Sequence, residues 1–576
     1  MNKFKHKMKR NKKQYFNRKT VLAFVVLAVF FLLFAKLIYI QIFLHNKISH
    51  NVSKMVNRQI IEIPKRGDIL DIKGNILATS VKKYNIFLDP KIIDDFSSVK
   101  EVLLKAGIEI KEKSLNEFGG KAYVPIAYDI DSNIVSNIKM MKLRGIGFES
   151  KYVRKYPEGK VLSNILGITG YDGNGLEGIE KICNECLLGS SVTMSTHRDG
   201  RGWIIPNKIV EQSKICGQNV ILSIDRNIQY IAEQELRKSF EKYQAKRAIC
   251  IVQNPKTGGI LAMVSLPDFD HSTKIKDLKV LRNAAISDIY EPGSTFKIVT
   301  VAAALEANRV KLSDTFDLEN GKLKIAGHTI KDDHKIEGVV NLSRAMEGSS
   351  NVAMIKIARK LGSNDFYEYI RKFGFYSLTG IDLPSEGKGL LLDVKRWNAL
   401  TLPNISFGQG IGVTALQMIN AFTAIANDGV LLKPYIVQKI GKYDVDNVQT
   451  NFGVMEIRRV VSKETAYKMK KMLQRSVDFG TGKKAKVKGY TVSGKTGTSQ
   501  KIDPETKTYS KKYYIGSFCG MLPALEPEFV VLVIIDEPKG QSYYGSSVAS
   551  PVFASIAQSI AHYLEIPKDD ISKNKV

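Results

Sequence analysis

The sequence predicts an α+β protein carried by one N-terminal membrane helix, and three observations carry that prediction. Residues 21–44, VLAFVVLAVFFLLFAKLIYIQIFL, form a single long apolar run. Strand-like runs separated by turn residues fill the stretch just after 216 and recur around 488–495, 513–521 and 529–536. Between them the chain has helical texture to about 430. A β-rich start, a helical middle and a β-rich end suggest helices packed on an antiparallel sheet.

With 576 residues the chain exceeds one ordinary domain. Five segments are expected. These are a tail at 1–20, a transmembrane helix at 21–44, a β-rich N-terminal pedestal at 45–215, a second α+β domain at 216–565 and a short tail at 566–576. The apolar fraction of 44% and charged fraction of 25% are those of a folded chain.

The apolar run comes first. Its 24 residues span about 36 Å as a helix, enough to cross a bilayer core. Lys36 and Gln41 lie near one end, where long side chains reach the interface. No small-x-small cleavage site follows, so an uncleaved anchor is favoured over a signal peptide. Residues 1–20 hold nine Lys/Arg and no Asp/Glu, which places the tail in the cytoplasm and the rest outside it. Of the net charge of +29, the remaining +20 is dispersed lysine that forms no stripe. A solvated lysine-rich surface explains it, and no nucleic-acid-binding signature accompanies it.

In the pedestal, RGDILDIKGNILATS (66–80) predicts a strand, a turn at Lys73–Gly74 and a second strand. KYPEGKVLSNILGITGYDGNGLEGIE (155–180) is loop-rich, then helical. No chemistry-bearing cluster stands out. Cys183 and Cys186 form a lone C-x-x-C with no second ligand pair, so ordinary thiols are expected, with a disulfide as the alternative and no metal.

After 216, NVILSIDRNIQYIAEQEL predicts a strand and a helix. AICIVQNPKTGGILAMVSL predicts a hairpin around NPKTGG, which contains Lys256-Thr257-Gly258. Then comes EPGSTFK. Ser-x-x-Lys also occurs at Ser80, Ser97, Ser136, Ser239, Ser385 and Ser572, so the tetrad alone means nothing. Ser294 differs in context. Pro292–Gly293 breaks the chain, and Ser294 and Lys297 share one face at the start of an apolar helix. A capping box would want Glu or Gln where Lys297 stands. An ammonium there opposes the helix dipole, and burial pushes it toward the neutral, basic form. A neutral amine beside a hydroxyl is a general base beside a nucleophile.

Two further elements follow in order. Ser349 and Asn351 lie in EGSSNVAM, a hydroxyl and a carboxamide on one turn. Lys495, Thr496, Gly497 and Thr498 lie in YTVSGKTGTSQ, expected at the end of a strand, where glycine lets a ligand approach the backbone. Gly408, Gly410 and Gly412 of ISFGQGIGVTALQM are expected in a turn leading into a packed helix, since no βαβ unit surrounds them.

The ordered set S-x-x-K, S-x-N, K-T-G resembles the penicillin-binding proteins and serine β-lactamases. With the anchor, RGDILDIKGNILATS, RKYPEGKVLSNILG, GLEGIE, ISFGQGIGVTALQM and YYGSSVASPVF, nearly the whole chain resembles class B penicillin-binding proteins, above all the division-specific member. The resemblance implies a C-terminal transpeptidase domain that cross-links stem peptides ending in D-Ala-D-Ala through an acyl-serine, with β-lactams acylating the same serine and no cofactor.

By the same resemblance, Ser294 is the nucleophile, Lys297 its base, Ser349 a proton relay and Asn351 a holder of substrate backbone. Lys495 supplies positive potential for the terminal carboxylate, with Thr496, Gly497 and Thr498 beside it. The N–H groups of Ser294 and Thr498 form the oxyanion hole. Implied partners are a multi-pass septal glycosyltransferase and other division proteins, at an inner membrane with the catalytic domain periplasmic. The chain ends about 20 residues after YYGSSVASPVF, which favours a Gram-negative envelope.

An elongation-specific relative and a D,D-carboxypeptidase remain open alternatives, as does a membrane-tethered β-lactam sensor or scaffold. A class A β-lactamase is disfavoured, since no Glu between Asn351 and Lys495 has Asn four residues later.

Overall fold

The structure is a computed structural model that describes residues 18–62, 64–109, 123–189, 192–198, 204–205, 216–334, 336, 338–441, 448–503 and 505–569. Most of the basic tail (1–17), parts of the pedestal (110–122, 199–203 and 206–215) and the chain end (570–576) lie outside the described residues. The chain divides into two compact units, residues 1–63 with 191–215, and residues 64–190 with 216–576.

In the first unit, Arg18–Phe43 is one apolar helix of 26 residues, long enough to cross a membrane. None of its residues is buried, and Phe24, Leu27 and Phe31 are more than 60% exposed, as a lipid-facing helix requires. A helix at His45–Val56 and an antiparallel pairing of Asn57–Glu62 with Val192–Arg198 follow.

Among the described residues, the second unit contains two large sheets and three two-stranded ones. The larger has seven strands. Ile69–Leu70 and Ile76–Leu88 form the predicted pair around the Lys73–Gly74 turn, and Gly74 has φ +84°. Val124–Asp131 and Ile146–Lys155 pair with Ile76–Leu88 on its two opposite edges. Asn219–Leu222, Val437–Gly441 and Val448–Asn451 extend the sheet beyond Ile69–Leu70. The sheet thus draws strands from both sides of residue 215, a long-range pairing that no local pattern announces.

The other sheet positions the site. Its strands are β1 (Arg247–Gln253), β2 (Ile260–Leu266), β3 (Ser493–Ile502), β4 (Tyr509–Leu522) and β5 (Phe529–Asp536). All are antiparallel, in the order β2-β1-β5-β4-β3. Every residue of β5 is buried, which explains why FVVLVIID shows no alternation. Val530, Leu532 and Ile534 pack into one core and Val531, Val533 and Ile535 into another.

Helices cover both faces. α1 (Arg226–Lys242) and α6 (Ser550–Tyr563) pack on one. On the other lie α2 (Lys297–Glu306), α3 (Asn351–Leu361), α4 (Ala415–Ala426) and α5 (Lys463–Asp478). Lys256-Thr257-Gly258 sits in the β1–β2 turn as expected, with Gly258 at φ +81°.

One expectation needs correction. The strand placed around 488–495 starts at Ser493 and runs to Ile502, so Lys495-Thr496-Gly497-Thr498 opens the strand rather than ending it. Its register is set by β4, where Lys495 pairs with Cys519 and Gly497 with Ser517. That partner is invisible to a local pattern.

Candidate active site

The site is assembled where three backbone segments touch. The first is the turn Gly293–Phe296, a tight 3₁₀ turn; the regular helix α2 begins only at Lys297. Gly293 has φ +56°, and its N–H donates to Gly408 O across 3.0 Å. A Cβ on Gly293 would stand 2.7 Å from Thr498 O, and one on Gly408 would stand 2.1 Å from Gly293 O. Glycine is therefore required on both sides of this contact. The apolar run of α2 buries its whole first turn, which takes Lys297 out of water.

The second segment is the turn before α3. Ser350 is its N-cap, accepting from Ala353 N across 3.0 Å. Ser349, one residue earlier, has φ +59°, a strained conformation for a residue with a Cβ. The Asp332 carboxylate accepts from Asn351 N, Val352 N and Ser350 Oγ at 2.5, 3.0 and 2.7 Å. The Asn351 amide donates to Lys331 O, which leaves its oxygen facing Lys297.

The third is the start of β3. A Cβ on Gly497 would lie 2.4 Å from Ser517 Oγ and 2.9 Å from Thr295 Cγ2, so strand and serine turn pack this closely only at glycine. Thr496 Oγ1 and Thr481 Oγ1 share a hydrogen bond of 2.7 Å. Thr498 Oγ1 accepts from Gly545 N at 3.1 Å.

These segments converge on one hydroxyl. Ser349 Oγ donates to Ser294 Oγ at 3.1 Å. It accepts from Lys297 Nζ at 3.1 Å and from Lys495 Nζ at 3.0 Å. Lys297 Nζ also donates to Ser349 O at 2.6 Å and to Asn351 Oδ1 at 2.7 Å. Both lysines are fully buried, while Ser294 is partly exposed. Burial lowers Lys297 to about 8, against the opposing pull of Asp332 and Asp333. Burial, then repulsion from Lys297, holds Lys495 well below the usual lysine range. A cleft of about 400 Å³ opens over Ser294, Asn351 and Thr498. A buried amine that is readily neutral, within one hydroxyl of a partly exposed serine, has the chemistry a nucleophile and its base require.

Comparison with known proteins identifies the family. Residues 248–558 match the penicillin binding protein transpeptidase domain, and residues 61–222 match the penicillin-binding protein dimerisation domain. The chain belongs to the class B penicillin-binding proteins. It is 32% identical to the peptidoglycan D,D-transpeptidase FtsI of Buchnera aphidicola subsp. Schizaphis graminum over 592 residues, covering 100% of both chains. It is also 32% identical to the stage V sporulation protein D of Bacillus subtilis, over 93% of this chain and 84% of that one. The structure of penicillin binding protein 3 from Mycobacterium tuberculosis, complexed with aztreonam, is 26% identical and superposes with a TM-score of 0.68, covering 88% of this chain and 98% of that one. The activity that goes with this membership is that of a serine-type D-Ala-D-Ala transpeptidase.

In this penicillin-binding protein, Ser294, Lys297, Ser349, Asn351 and Lys495 lie within one hydrogen-bonded cluster. Thr496, Gly497 and Thr498 line the adjoining strand. Sequence reasoning missed Asp332, Asn404, Gln409, Tyr514, Tyr543 and Tyr544, all at the site or its rim. Tyr514 and Tyr543 stack at 3.8 Å, and Tyr543 and Tyr544 at 4.7 Å. YYGSS carried the only signal for the last two. All five cysteines are free thiols, and Cys186 Sγ donates to Cys183 O.

Proposed function

We propose that this penicillin-binding protein cross-links septal peptidoglycan through an acyl-serine intermediate on Ser294. Ser294 Oγ forms a bond to the carbonyl carbon between the two terminal D-alanines of a stem peptide. Its proton passes to the neutral Lys297 amine, directly or through Ser349. The N–H groups of Ser294 and Thr498 hold the oxyanion, where one such donor is worth about 3 kcal/mol. The C–N bond breaks, Ser349 relays a proton to the leaving amine, and D-alanine departs. A neighbouring stem peptide's amine then attacks the ester and frees the serine. Asn351 holds substrate backbone. A terminal carboxylate beside Thr496 and Thr498 raises Lys495 back toward its charged form, because an opposite charge favours the ammonium.

The observation that carries this reading is the Ser349 hydroxyl, in hydrogen-bond contact with Ser294, Lys297 and Lys495 at once. Fluorescent penicillin tests it. Wild type is expected to be labelled and Ser294→Ala to be unlabelled; equal labelling would overturn the assignment.

The septal role rests on the anchor and on motifs spread over the whole chain, including GLEGIE and YYGSSVASPVF. Under this reading residues 1–20 are cytoplasmic, the helix crosses the inner membrane, and residues from 45 onward work in the periplasm beside a multi-pass glycosyltransferase. Depletion in the host is expected to give filaments, whereas round cells would assign the enzyme to elongation.

A further inference from the structure

Asp332 is joined to the catalytic cluster by hydrogen bonds, yet it belongs to none of the three motifs. It ends the hairpin formed by Lys322–Ile325 and His328–Lys331, and its own N–H is tied to Gly321 O at 2.9 Å. From this anchored position its carboxylate takes two backbone N–H groups at the head of α3 and the Ser350 hydroxyl. The preceding residue, Lys331, accepts from the Asn351 side chain through its carbonyl at 2.9 Å.

The clasp grips Asn351 and the residue directly after Ser349, and Ser349 and Asn351 are the ones the chemistry needs held. Ser349 sits at φ +59°, a strained conformation that persists only where its surroundings enforce it. Asn351 must turn its oxygen to Lys297. A helix N-terminus welcomes an anion, so the carboxylate is also stable where it stands.

We propose that Asp332 is a positioning residue for acylation, which locks the Ser349–Asn351 turn and sets the charge balance felt by Lys297. The inference rests on the acyl-serine reading above. Among the described residues, three charged groups act on Lys297. Asp332 and Asp333 act on it from the loop, and Lys495 faces it from β3. Asp332 favours the protonated lysine and so restrains the base. The clasp therefore buys geometry at the expense of basicity.

The full-length protein carrying Asp332→Asn or Asp332→Ala tests this, with acylation by fluorescent penicillin followed across pH and corrected for the fraction of active enzyme. Asparagine keeps an oxygen for the N–H groups and removes the charge. It is expected to move the acid limb of the rate profile to lower pH, with at most a tenfold change in the plateau. Alanine removes both and is expected to lower the plateau by tenfold or more. Asp332→Glu, which restores the charge, is expected to return the limb toward that of wild type. Wild-type profiles for both variants would overturn the proposal. So would a loss confined to the amount of folded enzyme, the mark of a purely structural residue. Ser294→Ala runs alongside: if it is still labelled, the acyl-serine reading fails; if it is unlabelled while Asp332→Asn behaves as wild type, only the role of Asp332 fails.

Discussion

Ser349 Oγ donates to Ser294 Oγ across 3.1 Å, although the two serines lie 55 positions apart. The hydroxyl that meets Ser294 therefore comes from a separate turn, the one before α3, and it carries both lysines with it. Removing it breaks the link between Lys297 and Ser294 without opening the core. Ser349→Ala is expected to slow acylation by about 10²-fold or more, the usual range for a lost proton-transfer group. Stopped-flow acylation by a chromogenic β-lactam reads this, with melting temperature as the control. An unchanged rate would take Ser349 out of the proton path.

The pH dependence follows from Lys297. Its folded-state pKa of about 8 lies below its ordinary 10.5, because burial disfavours the ammonium. In the proposed mechanism the neutral form is the base. Acylation should therefore fall about tenfold per unit as pH drops below about 8 and level off above it. The stability effect has the same sign. Between pH 8 and 10.5 the unfolded chain binds more protons at this residue, so folding gains as pH rises. Relative to Lys297→Met, wild type should become less stable as pH falls through that window. A pH-independent difference between the two proteins in denaturant titrations would contradict a buried, depressed lysine.

The order of the three motifs was legible because each puts its chemistry within a few adjacent residues. Ser294 with Lys297, and Ser349 with Asn351, need only one turn of chain. The apolar run of α2 announced the burial that depresses Lys297. Asp332 was not legible, since its partners Asn351 and Val352 lie 19 and 20 residues away. The start of β3 was misplaced because β4 decides it. Gly408 looked like an ordinary turn glycine; only the fold shows that it touches Gly293. In the pedestal, Arg66, Arg154 and Glu180 meet from three separate segments. Local periodicity reports on faces and turns, and none of these contacts is local.

Gly408 gives a direct steric test. A Cβ there would stand 2.1 Å from Gly293 O at a backbone φ of +86°, so alanine must push the serine turn or its own loop aside. Gly408→Ala is expected to cost about 3 kcal/mol or more and to cut acylation at least tenfold. Gly410→Ala is the matched control. Its φ is +70°, but its Cβ would meet nothing nearer than Asn404 Cβ at 3.9 Å. It should show backbone strain alone, of order 1 kcal/mol, with near-normal acylation. Equal effects from the two substitutions would mean that the Gly293 contact is not what Gly408 provides.

The buried ion cluster of the pedestal predicts a loss of stability rather than of chemistry. Glu180 is fully buried, and its two oxygens accept from Arg66 Nε and Arg154 Nε, each at 2.6 Å. Arg66 also donates to Glu180 O and Asn184 Oδ1, and Arg154 to Gly67 O and Ser80 Oγ. The guanidinium groups thus tie RGDILD, YVRKYPEG and GLEGIE into one knot. Arg154 Nη2 is buried without a partner, so the cluster already carries one unmet donor. Glu180→Ala strands two cations in a dry site and is expected to cost about 3–5 kcal/mol. Glu180→Gln keeps the shape and loses only the charge, so it should cost less. Replacing Arg66, Arg154 and Glu180 together by apolar residues of similar volume should recover most of the loss, because no buried charge then remains. Urea unfolding of the four proteins measures the series. Penicillin labelling per folded molecule should stay at the wild-type level throughout. If Glu180→Ala melts within 1 kcal/mol of wild type, water reaches the cluster and it does not bind the segments together as an ion network.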